Sequence, residues 1–237
     1  MRILAIETST LLGGIAIMDD ISGLIAETRL NVKSTHSERL MTSIDNLLKQ
    51  SSTNLGDIEA LAISIGPGSF TGLRIGLSTV KGLSYATGKP IVSVPTLEAF
   101  ALSFFLAEYP ICIMLDARKR EVYAALFKWK DSELIRLVEE LSIKPRDLMK
   151  KIEGKVIFSG EGALLYRDII IESLDERAIF ALPEKMVPSP ANVASIGLRK
   201  ALKGEFADPI SLVPFYIRKS EAELKKIPLA ESFGNGR

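Results

Sequence analysis

Three strand-like runs precede the first helix in this chain, and that order limits its possible folds more than any other feature. Residues 3–6 are a short continuous apolar run of the kind that fills a sheet covered on both faces. Residues 14–18 form a second run, reached across the polar connection Glu7-Thr8-Ser9-Thr10 and Gly13, which predicts a hairpin rimmed by hydroxyls. Asp19-Asp20 then turns the chain into a third strand ending near Thr28. Thr35-His36-Ser37-Glu38 has capping-box spacing, and Leu40, Ile44, Leu47 and Leu48 give the helix behind it an apolar stripe. Residues 58–65 read as a strand, 72–86 as a helix, 91–94 as a short strand and 97–106 as a helix. The order is βββαβαβα. A dinucleotide-binding fold of the usual kind alternates strand and helix from its start and does not open this way.

The second half repeats the order. Strands are expected at 111–115, 121–127 and 134–138, a short helix begins at Pro145, and a strand follows at 156–159. A helix over 163–173, a brief strand over 178–182 and a helix over 192–203 complete the series. No residue-level repeat accompanies the duplication, which rests on element order. Tandem βββαβαβα halves are the layout of the α/β actin-like ATPase fold, related to ribonuclease H. The expected division is an N-terminal half over 1–108, a C-terminal half over 109–207, and an extended tail over 208–237, rich in charge, Pro and Gly.

Composition narrows the function. Thirty basic against 29 acidic residues leave a net charge of +1, so no chain-wide field exists to hold a polyphosphate unaided. No apolar run reaches the roughly 18 residues of a membrane span, and an acid, Glu7, interrupts the N-terminal sequence before a signal-like region develops. A soluble, cytoplasmic protein is expected. Cys112, the one cysteine, sits inside the apolar run Ile111-Cys112-Ile113-Met114-Leu115 and reads as a buried structural thiol rather than a nucleophile.

The most unusual stretch is Gly66-Pro67-Gly68-Ser69-Phe70-Thr71-Gly72-Leu73-Arg74-Ile75-Gly76, between a strand and a helix, where phosphates are often bound. A Walker loop needs Lys-Ser or Lys-Thr after its last glycine, and Leu73-Arg74 stand there instead. The dinucleotide fingerprint fails as well, because Thr71 occupies the position of its third glycine. Close packing is the favoured reading: Gly72, Gly76 and Thr79 make a small helical face, and each helical glycine costs roughly 1 kcal/mol that some contact must offset. Leu73, Leu77 and Val80 form an apolar stripe on another face.

The segment Ser64-Ile65-Gly66-Pro67-Gly68-Ser69-Phe70-Thr71-Gly72-Leu73-Arg74-Ile75-Gly76 closely resembles the signature of the TsaB (YeaZ) family. Leu4-Ala5-Ile6-Glu7-Thr8-Ser9, His36-Ser37-Glu38, Asp116-Ala117-Arg118 with Glu121-Val122-Tyr123, and Pro214-Phe215-Tyr216-Ile217-Arg218 extend the match in order along nearly the whole chain. Glu7 stands where many family members carry aspartate. The resemblance implies an actin-like fold and a non-catalytic subunit of the machinery that makes threonylcarbamoyladenosine on transfer RNA. It also implies work beside a catalytic paralogue, TsaD, and a small ATPase, TsaE, with tRNA met at most through the complex.

Catalysis by the chain alone finds little support in its residues. His36 is the single histidine, so neither a His-x-x-x-His metal site nor a serine triad with its own base can be assembled, and no catalytic or metal-binding residue is expected. Glu7, Thr8 and Ser9 in one half and Asp116 in the other could be a vestigial nucleotide site. The favoured reading makes Glu7 and Asp116 solvated or turn-capping acids. Ser159-Gly160-Glu161-Gly162 places a carboxylate where the resemblance puts the paralogue's adenosine-binding segment, so ATP is expected only weakly or at a shared interface. The alternative is an actin-like ATPase or small-molecule kinase acting alone. The expected working surface is the pair of helices beginning near residues 35 and 72. Leu40, Met41, Ile44, Leu73 and Leu77 would be its apolar centre and His36, Arg74 and Lys81 its polar rim, able to pair with the paralogue or with a second copy.

Overall fold

In the computed structural model, residues 1–31 and 36–217 are described, the side chains of 30–39 excepted. The first half runs β1 Arg2–Glu7, β2 Leu12–Asp19, β3 Gly23–Asn31, α1 His36–Gln50, β4 Ala60–Ser64, α2 Phe70–Thr87, β5 Ile91–Val94 and α3 Thr96–Ala101. The second runs β6 Ile111–Asp116, β7 Val122–Lys130, β8 Glu133–Ile143, α4 Pro145–Met149, β9 Val156–Ser159, α5 Glu161–Leu165, α6 Arg167–Leu174, β10 Ala178–Phe180 and α7 Pro190–Leu202. The doubled βββαβαβα order is therefore present, as expected of the actin-like fold.

Two departures have local causes. The helix expected over 163–173 is two helices, α5 and α6, because Tyr166 leaves helical geometry at φ −111°, ψ 25°. The helix expected over 97–106 ends at Ala101 and tightens into a 3-10 turn over Leu102–Phe104, followed by Leu106 in the left-handed region at φ 56°.

Each half builds a five-stranded sheet of one design. The orders are β3-β2-β1-β4-β5 and β8-β7-β6-β9-β10, with antiparallel pairing among the first three strands and parallel pairing from the central strand outward. The central strand β1 is covered on both faces, which explains its unbroken apolar run. Leu4 and Ile6 face the layer of α1 and α2, where Leu40, Ile44, Leu47, Leu77, Val80 and Leu83 close the core. Ile3 and Ala5 face the opposite layer, filled by Val193, Ala194, Ile196, Leu198 and Ala201 of α7.

That second layer crosses the expected boundary between the halves. Helix α7 belongs to the second half by sequence yet covers the first sheet, and Gly197 lets it approach until an added Cβ would lie 2.5 Å from that of Ala62. Helix α3 belongs to the first half yet packs Leu97, Phe100 and Ala101 on Ile111, Ile113, Ala125 and Phe127 of the second sheet. A division at residue 108 separates the sequence but not the packing. The joint is fixed by Glu27 of β3, whose Oε1 accepts the Ser189 hydroxyl at 2.8 Å and the Ala191 N–H at 3.0 Å at the start of α7. A carboxylate there satisfies an otherwise unpaired helix donor and opposes the positive end of the helix dipole.

Candidate functional site

The hairpin β1–β2 and the glycine-rich loop after β4 meet at the segment expected to be a vestigial nucleotide site. Glu7 ends β1, opposite Gly14 of β2, and is almost wholly buried together with Thr8, Ser9 and Thr10. Its Oε1 accepts the Ser9 N–H at 2.6 Å and also the Ser9 hydroxyl. A phosphate is held by backbone N–H groups aimed at it, and here the carboxylate of Glu7 takes that N–H instead. Glu7 is thus a turn-capping acid, while its expected solvation is corrected: the turn is closed under α2.

The glycines account for the closure. The Ser69 N–H donates to the Ser9 carbonyl at 2.6 Å, and the Ser69 hydroxyl caps α2 by accepting the Gly72 N–H at 3.2 Å. An added Cβ at Gly68 would stand 2.4 Å from the Ser9 carbonyl oxygen, at Gly72 2.0 Å from the Thr8 carbonyl oxygen, and at Gly76 2.2 Å from the Thr8 hydroxyl. The backbone that the small helical face admits is therefore the chain's own hairpin turn. Gly66, at φ +117°, is pressed by a second neighbour, the Phe215 carbonyl, and the Phe215 N–H donates to Ile65 at 2.7 Å.

In the second half, Asp116 caps its own turn as well. Its Oδ1 accepts the Arg118 N–H at 2.8 Å and its Oδ2 lies 3.2 Å from the Arg118 guanidinium. Between the halves lies a cavity of about 410 Å³ walled mainly by apolar groups, among them Leu11, Leu12, Leu115, Leu164, Met186 and Val187, with Glu161 and Arg167. Loss of water around Glu161, and then the charge of Asp116, hold its carboxyl above the usual 4.5. Two neighbouring carboxylates repel a phosphate rather than bind it.

The shift at Glu161 has a definite sign. A raised acid favours the protonated fold, so its penalty is absent below 4.5, grows as pH rises through the raised value, and is complete above it. Glu161→Gln is expected to unfold at higher denaturant than the native chain near neutral pH. The two midpoints should converge below pH 4.5. Denaturant titrations at the two pH values measure this; equal midpoints at neutral pH would remove the assignment.

The expected helix surface requires correction. Leu40, Ile44, Leu73 and Leu77 are 7%, 3%, 1% and 7% exposed, and all lie inside the chain's own core. They are not its outer face. Met41 alone of the five apolar residues is exposed, at the mouth of a groove of about 530 Å³ that it shares with Leu83 of α2. The side chain of His36 lies outside the described residues. Arg74 and Lys81 tie down the tail: Arg74 Nε donates to the Tyr216 hydroxyl at 2.9 Å, its guanidinium sits 3.7 Å above the Phe70 ring, and Lys81 Nζ reaches the Ile210 carbonyl at 3.4 Å. Phe70 and Tyr216 stack with ring centroids 5.1 Å apart. The described tail begins with a turn, closed by the Leu212 N–H on the Asp208 carbonyl at 3.0 Å, before it runs along α2; Arg218 lies outside the described residues.

What α2 presents outward is a ridge of Arg74, Ser78, Gly82 and Tyr85. Tyr85 is 95% exposed, with Ile210 of the tail at 90% beside it. Among the described residues, nothing beyond its own helical turn lies within 4 Å of a Cβ built at Gly82. Unlike Gly72 and Gly76, this helical glycine admits no close neighbour among the described residues. Its spacing from Ser78 and Tyr85 was visible in the sequence, but only burial separates an outward glycine from an inward one.

An actin-like α/β domain with tandem halves, a self-capped hairpin and an apolar cleft is the class that these features define. Consistent with it, the family model described as TsaD, tRNA N6-adenosine threonylcarbamoyltransferase, matches residues 24–226. The Bacillus subtilis tRNA threonylcarbamoyladenosine biosynthesis protein TsaB is 32% identical over 230 residues, covering 96% of this chain and 98% of that protein. The Escherichia coli TsaB is 30% identical over 238 residues, covering 96% and 99%. YeaZ from Pseudomonas aeruginosa superposes with a TM-score of 0.77 at 23% identity, covering 91% of this chain and 99% of that one. The chain belongs to the TsaB family.

Proposed function

We propose that this chain acts in the biosynthesis of threonylcarbamoyladenosine on transfer RNA as a non-catalytic subunit that binds and activates the catalytic paralogue TsaD, together with the ATPase TsaE. The closed first turn is the observation that carries this reading: Glu7 occupies the N–H a phosphate would need, and the glycine loop seals it. Several further features fit. Cys112 is fully buried and its thiol is pushed far above the ordinary range by loss of water, which suppresses the thiolate. The cleft is apolar and carries Glu161 beside Asp116. Among the described residues no helix is long and apolar enough to cross a membrane, which agrees with a cytoplasmic place of work.

The surface we assign to TsaD, or to a second copy when the chain is alone, is the outer ridge of α2 with Met41 of α1. Gly82 lets a partner helix approach closely, and Tyr85 offers a large ring at low entropic cost. An interface of roughly 1,600 Å² would hold the partner's cleft in its productive closure while the chemistry proceeds there. ATP, if it meets this chain, does so weakly or at that shared surface.

Reconstitution tests the proposal. Threonylcarbamoyl transfer from its adenylate to a tRNA transcript, with release of AMP, is measured with TsaD and TsaE, with and without this chain, and with the chain alone. Activity is expected only in the full mixture. Turnover of ATP or of any peptide by the purified chain alone would instead support the lone ATPase or kinase reading, or the peptidase similarity ascribed to a solved Pseudomonas aeruginosa protein.

A further inference from the structure

The second half carries a wide groove of about 1050 Å³ that neither the closed turn nor the α2 ridge uses. Five cations line it: Arg120, Lys144, Arg146, Lys150 and Arg177. Asp147 is the lining carboxylate, paired with Lys150 at 2.8 Å, and Glu172 beside it pairs with Arg146 at 2.8 Å. Five positive groups against two negative ones concentrate a charge in one groove of a chain whose total is only +1.

The individual cations are set outward. Arg120 and Lys144 are exposed and make no ion pair among the described residues. The Arg177 guanidinium donates to the Ser173 and Leu174 carbonyls, at 3.4 and 3.3 Å, and makes no ion pair with a carboxylate among the described residues. Arg120 closes a turn in which Arg118, Lys119 and Arg120 all have positive φ, from 52° to 62°. That turn is fixed by the Arg118 N–H on Asp116 and by the Glu121 N–H on the Arg118 carbonyl at 3.0 Å. Tyr166 lines the same groove and gives it an aromatic ring. The ring is half-buried against the core of the second half, so it is the spaced, exposed cations that suit a chain of phosphates.

We propose that this groove binds the phosphodiester backbone of RNA, with Arg120 and Lys144 contacting phosphates. The proposal rests on the assignment of the chain to tRNA modification and adds a direct RNA contact to it. Binding is then mainly electrostatic and independent of sequence.

The test uses the full chain and a fluorescent, unmodified tRNA transcript, titrated from about 50 to about 200 mM salt. Binding is expected to weaken steeply over that range. Arg120→Gln combined with Lys144→Gln should lower affinity at least about tenfold and reduce the slope of log affinity against log salt by about 2, one for each cation removed. Lys203→Gln, on an exposed residue just beyond α7 and outside the groove, should leave both unchanged. Thermal midpoints and co-purification with TsaD are measured on every variant. The proposal is overturned by absent RNA binding at the lowest salt or by an unaltered slope in the double variant. Displacement of RNA by polyglutamate at equal charge would overturn it in favour of an acidic protein partner. Loss of TsaD from the double variant would likewise make the groove a protein interface. Failure of the native chain to bind TsaD, with RNA binding as expected, would count against the proposed subunit role and leave the groove assignment standing.

Discussion

Gly72→Ala is expected to destabilise the fold by about 3 kcal/mol or more, a large share of the ~5–15 kcal/mol that holds a domain of this kind together. The added methyl would lie 2.0 Å from the Thr8 carbonyl oxygen, a backbone atom that cannot rotate aside. Helix α2 would have to lift from the hairpin, breaking the Ser69 to Ser9 hydrogen bond and uncovering Glu7. Gly76→Ala meets side-chain atoms, the Thr8 hydroxyl and Ile63 Cδ1, rather than a backbone carbonyl, and should cost less. Urea denaturation of the two variants measures the difference. Equal midpoints for native and Gly72→Ala chains would contradict the close packing on which the closed turn rests.

The second large effect concerns association rather than folding. Gly82→Glu should leave the fold intact and weaken binding to TsaD, or self-association, about a hundredfold or more, the ~3 kcal/mol typical of a residue at the centre of an interface. Gly82→Ala provides the control that makes the prediction sharp. With open space around it, the alanine should raise helix stability by about 0.8–1 kcal/mol while still weakening association, because the partner's backbone can no longer approach as closely. Tyr85→Ala should also weaken association without loss of stability, since the ring is 95% exposed. Sedimentation of the isolated chain and co-purification with TsaD measure these effects. Native-like association of Gly82→Glu would move the interface off α2.

Charge placed at Leu40 or Leu77 is a poor probe by comparison. Both residues fill the first half's core, so such a variant would lose its fold before it lost a partner. Their heptad-like spacing showed that α1 and α2 have apolar stripes, but a stripe does not say which surface it meets. In this chain it meets Leu4 and Ile6 of the central strand. The doubled strand and helix order was legible because short apolar runs and their turns are local properties. The small face of α2 was legible for the same reason, since a glycine within a helix needs a cause. The cause itself, the Thr8–Ser9 turn, lies some sixty residues earlier in the chain and appears only in three dimensions. The sequence left Glu7 as either a solvated or a turn-capping acid, because nothing in an isolated Glu-Thr-Ser run tells whether the acid faces water or its own backbone.

Helices α3 and α7 change places between the halves, and this interlock makes the two sheets depend on each other for their cover. The outer ridge of α2 belongs to the first half alone, but the sheet beneath that half would be bare without α7, and the second sheet would lose α3. Each half lends the other its roof. Neither can be shed singly without baring an apolar sheet face.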